Sequence, residues 1–121
     1  MPEQQPPRNP DNMSHPDALV WIVNYRASQD FSDAERYTAY PFETLTEEVV
    51  HLSNTDKLFN HLLNKLGQFR DYDYLLISGS PLINMIVTQI LTATYKLPAI
   101  NVLIFNGFEG TYYARRISAP E

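Results

Sequence analysis

The chain contains no cysteine among its 121 residues. Disulfides, thiolate metal sites and a cysteine nucleophile are therefore excluded. Basic residues are also scarce, because nine Lys and Arg stand against 14 Asp and Glu and give a formal net charge of −5. A broad nucleic-acid footprint needs a basic face, so this charge argues against nucleic-acid binding but leaves room for one small anion at a local site.

A long apolar run and a secretion signal are missing as well. The most apolar stretch, residues 81–93, includes Asn84, Thr88, Gln89 and Thr92 and is too short to span a bilayer. The amino-terminal Met-Pro-Glu-Gln-Gln-Pro-Pro has neither the basic nor the apolar region of a signal peptide. We therefore expect a soluble protein of the cell interior that does not contact a membrane.

Proline is concentrated in the amino-terminal segment, where residues 1–17 hold five of the nine prolines. Because proline lacks a backbone donor and fixes φ, this segment cannot join a helix or a central strand. We interpret residues 1–17 as a flexible arm, with ordering against a neighbouring subunit as the alternative. Residues 18–121 then form a single α/β domain that buries one modest core.

Three continuous apolar runs have the composition of strands buried on both faces, namely Ala18–Tyr25, Tyr72–Ser78 and Ile100–Phe105. A turn with two glycines follows the third run, and Thr111–Ile117 alternates as a strand that returns antiparallel. Pro41–Thr46 alternates weakly and is a candidate for an edge strand.

Helical patterns separate these strands. The run Ser32-Asp33-Ala34-Glu35 has the form of a capping box and predicts a short helix. A longer helix is predicted after a cap at Ser53 or Asn54, with an apolar stripe formed by Leu58, Phe59, Leu62, Leu63 and Leu66. Strands that alternate with helices imply parallel pairing and right-handed crossovers. The predicted fold is thus α/β, a small Rossmann-like sandwich with a mainly parallel central sheet and one antiparallel edge hairpin.

Residues 81–96 are predicted to form a helix with an unusual surface. Ser80 can cap this helix, and Pro81 suits its first position. The helix is apolar on most sides, which is typical of a buried helix, but so small a domain offers too few internal partners. We therefore expect a homo-oligomer that forms through the helix 81–96.

The candidate ligand-binding site centres on Ser78-Gly79-Ser80, which joins a predicted strand to this helix. In open α/β sheets, ligands bind beyond the carboxyl ends of the strands. Free N–H groups and the helix dipole favour an anion there, Gly79 lets a ligand approach the backbone, and the two hydroxyls can donate hydrogen bonds. The alternative is structural: Ser80 caps the helix and Gly79 turns the chain.

The first predicted strand contributes a second part of this site. It ends in Asn24, Tyr25 and Arg26, which flank the Ser-Gly-Ser loop if the two strands are neighbours. Arg26 can pair with a phosphate or a carboxylate. The alternative is a solvated loop in which Arg26 pairs with Asp30 or Asp33.

The titratable residues form no recognisable catalytic motif. His15, His51 and His61 lack the i, i+4 spacing of a metal site, so we expect no metal and no cofactor. Asp71 and Asp73 precede a strand, away from the usual ligand side, and are better explained as solvating a loop than as an acid–base pair. The sequence thus favours a protein that is not an enzyme.

Five segments resemble small α/β proteins of unassigned function that bacteriophages and prophages encode: Val23-Asn24-Tyr25, Asp30–Arg36, Leu45-Thr46-Glu47, Asn54–Leu58 and Tyr74–Ser80. The resemblance extends from residue 23 to residue 117. It implies a phage product that acts in the cytoplasm of a bacterial host cell or a component of the virion, and it carries no catalytic residues. The loop 78–80 alone also has a distant likeness to Rossmann-type sensor domains that bind cyclic oligonucleotides as dimers.

Three functional hypotheses follow from these patterns. The leading one is a non-enzymatic interaction or structural protein of the phage type that self-associates. The second is a sensor or sequestering module that binds a nucleotide or another small anion at the Ser-Gly-Ser loop. The third is a small hydrolase or nuclease, for which the sequence supplies neither a nucleophile with its base nor a set of metal ligands.

Overall fold

A mixed five-stranded sheet forms the centre of the molecule. The computed structural model describes residues 15–38, 40–47 and 55–118. The strands are β1 Val20–Tyr25, β2 Glu43–Glu47, β3 Tyr74–Leu76, β4 Ala99–Asn106 and β5 Thr111–Ser118. They lie in the order β2-β1-β3-β4-β5, with β5 antiparallel to β4 and every other pair parallel. The predicted α/β class, parallel core and antiparallel edge hairpin are confirmed.

Helices cover both faces of this sheet. Helices α1 (Thr55–Leu66) and α2 (Pro81–Gln89) pack on one face, and α2 continues as a π-helical turn over Ile90–Thr94. A 3-10 helix, Ser32–Tyr37, packs on the other face. The predicted cap of α1 at residues 53–54 and the first 14 residues of the predicted arm lie outside the described residues.

The strand order explains why helices occur on both faces. The chain steps from β1 to β2 in one direction and then returns past β1 to β3 and β4. Because crossovers between parallel strands are right-handed, those that run in opposite directions along the sheet must lie on opposite faces. The 3-10 helix makes the first crossover, and α1 and α2 make the other two.

Alternating side chains of β1 fill two separate cores. Trp21 and Val23 point towards α1 and α2, whereas Val20 and Ile22 point towards the 3-10 helix. All four side chains are at most 3% exposed. A strand covered on both faces needs apolar residues at every position, which is why this segment reads as a continuous apolar run.

The short helix at Ser32 is confirmed, but its predicted capping box is wrong. Phe31 occupies the N-cap position and its side chain makes no capping hydrogen bond, whereas Asp30 Oδ1 accepts from the N–H of Ser32 at 2.9 Å. Asp33 instead accepts a hydrogen bond from the backbone N–H of Tyr112 on β5, at 2.6 Å. Asp33, which lies between the two ends of the predicted motif, therefore binds a strand that is distant in sequence.

Helix α2 is buried on one side only. Ile83 and Val87 face the sheet, whereas Leu82 is 41% and Met85 is 66% exposed. The helix ends before its predicted limit, because the α-helical part stops at Gln89 and Lys96 takes a φ of +59° after the π-helical turn. A left-handed residue is a common helix terminator.

Side chains of α1 cover the backbone of the edge strand β2. His61 Nε2 lies 2.9 Å from the carbonyl oxygen of Leu45, and Lys65 Nζ donates to the carbonyl of Thr44 at 2.8 Å. A carbonyl only accepts, so Nε2 of His61 carries the proton in this contact. The two side chains are four residues apart and therefore lie on one side of the helix.

The other edge strand, β5, is covered in a similar way. Asp33 and Arg36, which form an ion pair at 3.4 Å, bind the N–H and the carbonyl of Tyr112 respectively. Further along the strand, Arg115 Nη1 donates to the carbonyl of Ala114 at 2.9 Å. Covered backbone groups at both edges oppose the addition of a further strand.

A buried carboxylate ties the beginnings of β1 and β3 together. Asp73 is 1% exposed and accepts hydrogen bonds from the N–H of Leu19, the indole N–H of Trp21 and the N–H of Arg70, all within 3.0 Å. The interpretation of Asp73 as a loop-solvating residue is therefore wrong. Asp71, two residues earlier, is exposed.

We predict that Asp73→Ala lowers the free energy of unfolding by about 3 kcal/mol, because it leaves three donors without their acceptor. Urea denaturation measures this loss. Asp71→Ala is the matched control and should change the unfolding free energy by less than about 0.5 kcal/mol. Equal effects of the two substitutions would contradict the role given to Asp73.

Candidate functional site

The predicted site residues lie between β1 and β3, where the order of the strands in the sheet reverses. Strands β1 and β3 are parallel neighbours, so their carboxyl ends meet at one edge. This brings Asn24 next to Ser78, as the sequence predicts. Such a switch point is the usual ligand position in open α/β sheets.

Ser78 holds the two strands together beyond the end of β3. Its hydroxyl accepts from the N–H of Asn24 at 2.9 Å and donates to the carbonyl of the same residue at 3.0 Å. The side chain thereby replaces two backbone hydrogen bonds that the short strand does not make. Because this hydroxyl is buried and engaged on both sides, Ser78 has a structural role.

The Asn24 side chain connects β1 to β2 and orients Arg26. Its Nδ2 donates to the hydroxyl of Thr46 at 2.8 Å, and its Oδ1 accepts from Nε of Arg26 at 2.9 Å. The predicted alternative, in which Arg26 pairs with an aspartate, is not what the structure shows, since Asp33 pairs with Arg36. Arg26 is exposed and held by an uncharged residue that is itself 1% exposed.

Gly79 brings the loop against Asn24. Its φ is +77°, and a Cβ at this position would lie 2.6 Å from Cβ of Asn24 and 3.0 Å from its Oδ1. Contacts this short require that the residue has no side chain. The same Oδ1 binds Arg26, so the guanidinium group lies beside the loop.

Helix α2 begins directly after the Ser-Gly-Ser loop. Ser80 Oγ accepts from the N–H of Leu82 at 3.1 Å and Pro81 occupies the first turn, so the predicted cap is confirmed. Sequence reasoning missed Asn84, whose Nδ2 donates to the carbonyls of Ser78 and Ser80 at 2.8 Å each. A polar residue four positions after a cap, inside an apolar stretch, was the available signal.

Tyr25 lies apart from this group. Its ring packs on that of Phe31 with 5.4 Å between centroids, which places it against the chain that leads into the 3-10 helix. The structure thus brings together five of the six predicted site residues, in a cluster of Asn24, Arg26, Ser78, Gly79 and Ser80. Whether this cluster binds a ligand stays a prediction.

The chemistry open to this cluster is anion binding. The outer nitrogens of Arg26 are the main donors, because Pro81 has no N–H and Leu82 donates its own to Ser80 Oγ. The first turn of α2 contains no acidic residue that would repel an anion. In the segments that the structure describes, no three His, Asp or Glu side chains are grouped so that they could hold a metal ion. The arrangement therefore favours recognition of a phosphate or a carboxylate by direct hydrogen bonds.

A cavity at the opposite edge of the sheet was not foreseen from the sequence. It has a volume of about 720 Å³ and lies where β1, β2 and β3 begin. Aromatic side chains of Trp21, Tyr40 and Tyr72 contribute to its wall. Its residues come from three separate stretches of the chain, 17–21, 40–43 and 65–73, so no local motif marks it.

A family model described as phage Pam3 gp32-like protein matches residues 18–119. Neither the curated proteins nor the solved structures contain a significant match. Among the described helices, none combines the length and the apolar character needed to cross a membrane.

We predict that Gly79→Ala lowers the free energy of unfolding by about 3 kcal/mol, since a Cβ here adds a clash with Asn24 to the cost of a positive φ. Gly110→Ala is the matched control. Gly110 has a φ of +70° but no atom within 4 Å of the added Cβ, so only the backbone cost of about 1 kcal/mol remains. Thermal or urea unfolding of both variants measures the difference, and equal losses would argue against the close approach to Asn24.

Proposed function

Because the chain belongs to the phage Pam3 gp32-like family, we propose that it is a non-enzymatic phage protein that acts through protein–protein contacts, the first of them with a second copy of itself. The observation that carries this proposal is the uncharged outer face of α2. The protein would act in the cytoplasm of the infected bacterium or within the virion. No contact in the described segments specifically favours the third hypothesis, a small hydrolase or nuclease.

The outer face of α2 combines apolar character with exposure. Leu82 and Met85 are exposed and Ile86 is partly so, and these three residues recur at the spacing of one helical stripe. The sequence from Tyr74 to Tyr95 contains no charged residue. Protein interfaces are depleted of charge at their centre and enriched in methionine, and this face has both properties.

A second copy of the chain is the partner that best fits this face. With a net charge of −5, two copies repel one another unless they meet through an uncharged surface. A twofold contact between two α2 helices places the same uncharged stripe on both sides. Association through the sheet edges is opposed by the side chains that cover β2 and β5.

The strand order supports a Rossmann-like assignment of the fold. The order 2-1-3-4-5 is that of doubly wound α/β sheets of the flavodoxin type. Two features differ from that pattern: β5 is antiparallel, and a 3-10 helix replaces the first crossover helix. Folds of this type serve many functions, so the assignment supports the position of a site and not an activity.

Anion binding at the switch point is the second candidate function. The specific observation in its favour is that buried Asn24 fixes Nε of Arg26 while the outer guanidinium nitrogens stay beside the start of α2. A nucleotide phosphate or another small anion would bind between these donors. A protein can combine this role with self-association.

We predict that the native chain has a mass near twice 14.0 kDa in light scattering at micromolar concentration and that Met85→Glu returns it to the monomer. A twofold contact would bury two carboxylates close together, which weakens association by about 100-fold or more. Phe108→Glu is the control, because Phe108 is fully exposed in the β4–β5 turn and this variant should keep the native mass. A native chain that stays monomeric would overturn the proposal.

For the second candidate, we predict that inorganic phosphate or a nucleotide raises the melting temperature and that Arg26→Gln weakens the binding about tenfold, the effect of losing one charge-assisted contact. Differential scanning fluorimetry and calorimetry measure the two quantities. Arg115→Gln removes an exposed guanidinium group from a different strand and should leave the affinity unchanged. Equal losses in both variants would indicate nonspecific charge attraction.

A further inference from the structure

The cavity at the amino edge of the sheet has the aromatic wall of a peptide-binding groove. The rings of Tyr40 and Tyr72 form the accessible part of this wall, and the Trp21 indole, which is 3% exposed and held by its hydrogen bond to Asp73 at 3.0 Å, lies at its base. Tyr40 is 48% exposed, so its ring is accessible from the solvent. Aromatic grooves of this kind bind proline-rich segments in the polyproline II conformation, because pyrrolidine rings pack on aromatic faces.

The first described residues of the chain already lie at this cavity. The His15 ring stacks on Tyr72, with 3.8 Å between centroids and 12° between the ring planes. Asp17 lines the cavity and accepts a hydrogen bond from the Tyr40 hydroxyl at 3.2 Å. The hydrogen bond to Asp17 raises the pKa of the Tyr40 hydroxyl above its ordinary value. Residues 1–14 precede this point in the chain.

The composition of residues 1–14 matches the cavity. Four prolines lie among them, including the pair Pro6-Pro7, and Arg8 follows directly. The cavity wall contains the basic residues Lys65 and Arg70 as well as the carboxylates of Asp17 and Glu43, and these carboxylates are the partners for that arginine. An extended chain of seven residues spans about 20 Å, which is enough to lead from His15 across a cavity of this volume.

We propose that the cavity is a groove for a proline-rich peptide and that its resident occupant is the segment 6–10 of the same chain. The contact is intramolecular, because the chain that enters the structure at His15 starts at the rim of the groove. This proposal is independent of the α2 interface, which lies on the face of the sheet and not at its amino edge.

The test uses two features of the sequence: Trp21 is the only tryptophan, and there is no native cysteine. A nitroxide attached to Gln5→Cys in the full chain should quench most of the Trp21 emission, which returns when ascorbate reduces the label. The control carries the same label at Glu109→Cys, in the β4–β5 turn at the opposite edge of the sheet. This label should leave the emission almost unchanged. Quenching from position 5 that is no stronger than from position 109 would overturn the proposal.

Two further variants test the aromatic and proline contacts in the labelled chain. Tyr40→Ala removes an exposed part of the wall, and the double change Pro6→Ala with Pro7→Ala alters only the segment that enters it. Both should abolish most of the quenching, while circular dichroism should stay native. The double proline change leaves every residue of the cavity wall unaltered. Retained quenching in this variant would therefore contradict the proposal.

Dilution with unlabelled chain separates the intramolecular contact from exchange between copies. A tenfold excess of unlabelled Trp21→Phe chain, which adds no tryptophan emission, should leave the quenching unchanged if the arm binds its own groove. If the quenching falls in proportion to the excess, the occupant is the arm of a second copy, and the intramolecular assignment is wrong.

Discussion

The pairing of β1 with β3 depends on two side chains as well as on the backbone. Strand β3 is only three residues long, and the chain holds it at both ends. Asp73 binds the beginning of β1, and the Ser78 hydroxyl binds its carboxyl end. The start of α2, the position of Arg26 and the wall of the amino-edge cavity all follow from this pairing, because each depends on residues next to one of these two contacts.

The side chains that cover the two edge strands limit which surfaces of the molecule can bind other proteins. Strands at an edge are sites of uncontrolled association, and here α1, the 3-10 helix and Arg115 cover the edge backbone with charged or polar side chains. The uncharged face of α2 is left as a surface where contact costs little desolvation. The sheet edges are thus protected, and the exposed face of α2 is the surface on which the proposed self-association depends.

Local patterns in the sequence predicted the strands, the α2 cap at Ser80 and the meeting of Asn24 with Ser78. They did so because burial on both faces and helix capping are properties of neighbouring residues. The roles of Asp73, Asp33 and Asn84 were not predicted. Asp73 binds β1 and Asp33 binds β5 across more than 50 residues of sequence, and such contacts leave no local trace. The cavity was missed for the same reason, and because ligand sites in open α/β sheets are expected at the carboxyl ends of the strands, whereas this cavity lies at their amino ends.

The binding of Asp33 and Arg36 to Tyr112 has a consequence for biosynthesis. During translation, residues 32–37 leave the ribosome long before the β4–β5 hairpin exists, so their polar groups have water as their partner until the final strand is made. The face of the sheet that includes Tyr37 and Tyr74 is closed at the same late moment, because Tyr112 belongs to that core. Completion of the fold is thus coupled to the arrival of the last strand, and a nascent chain released before residue 112 would expose half of its core to chaperones and proteases.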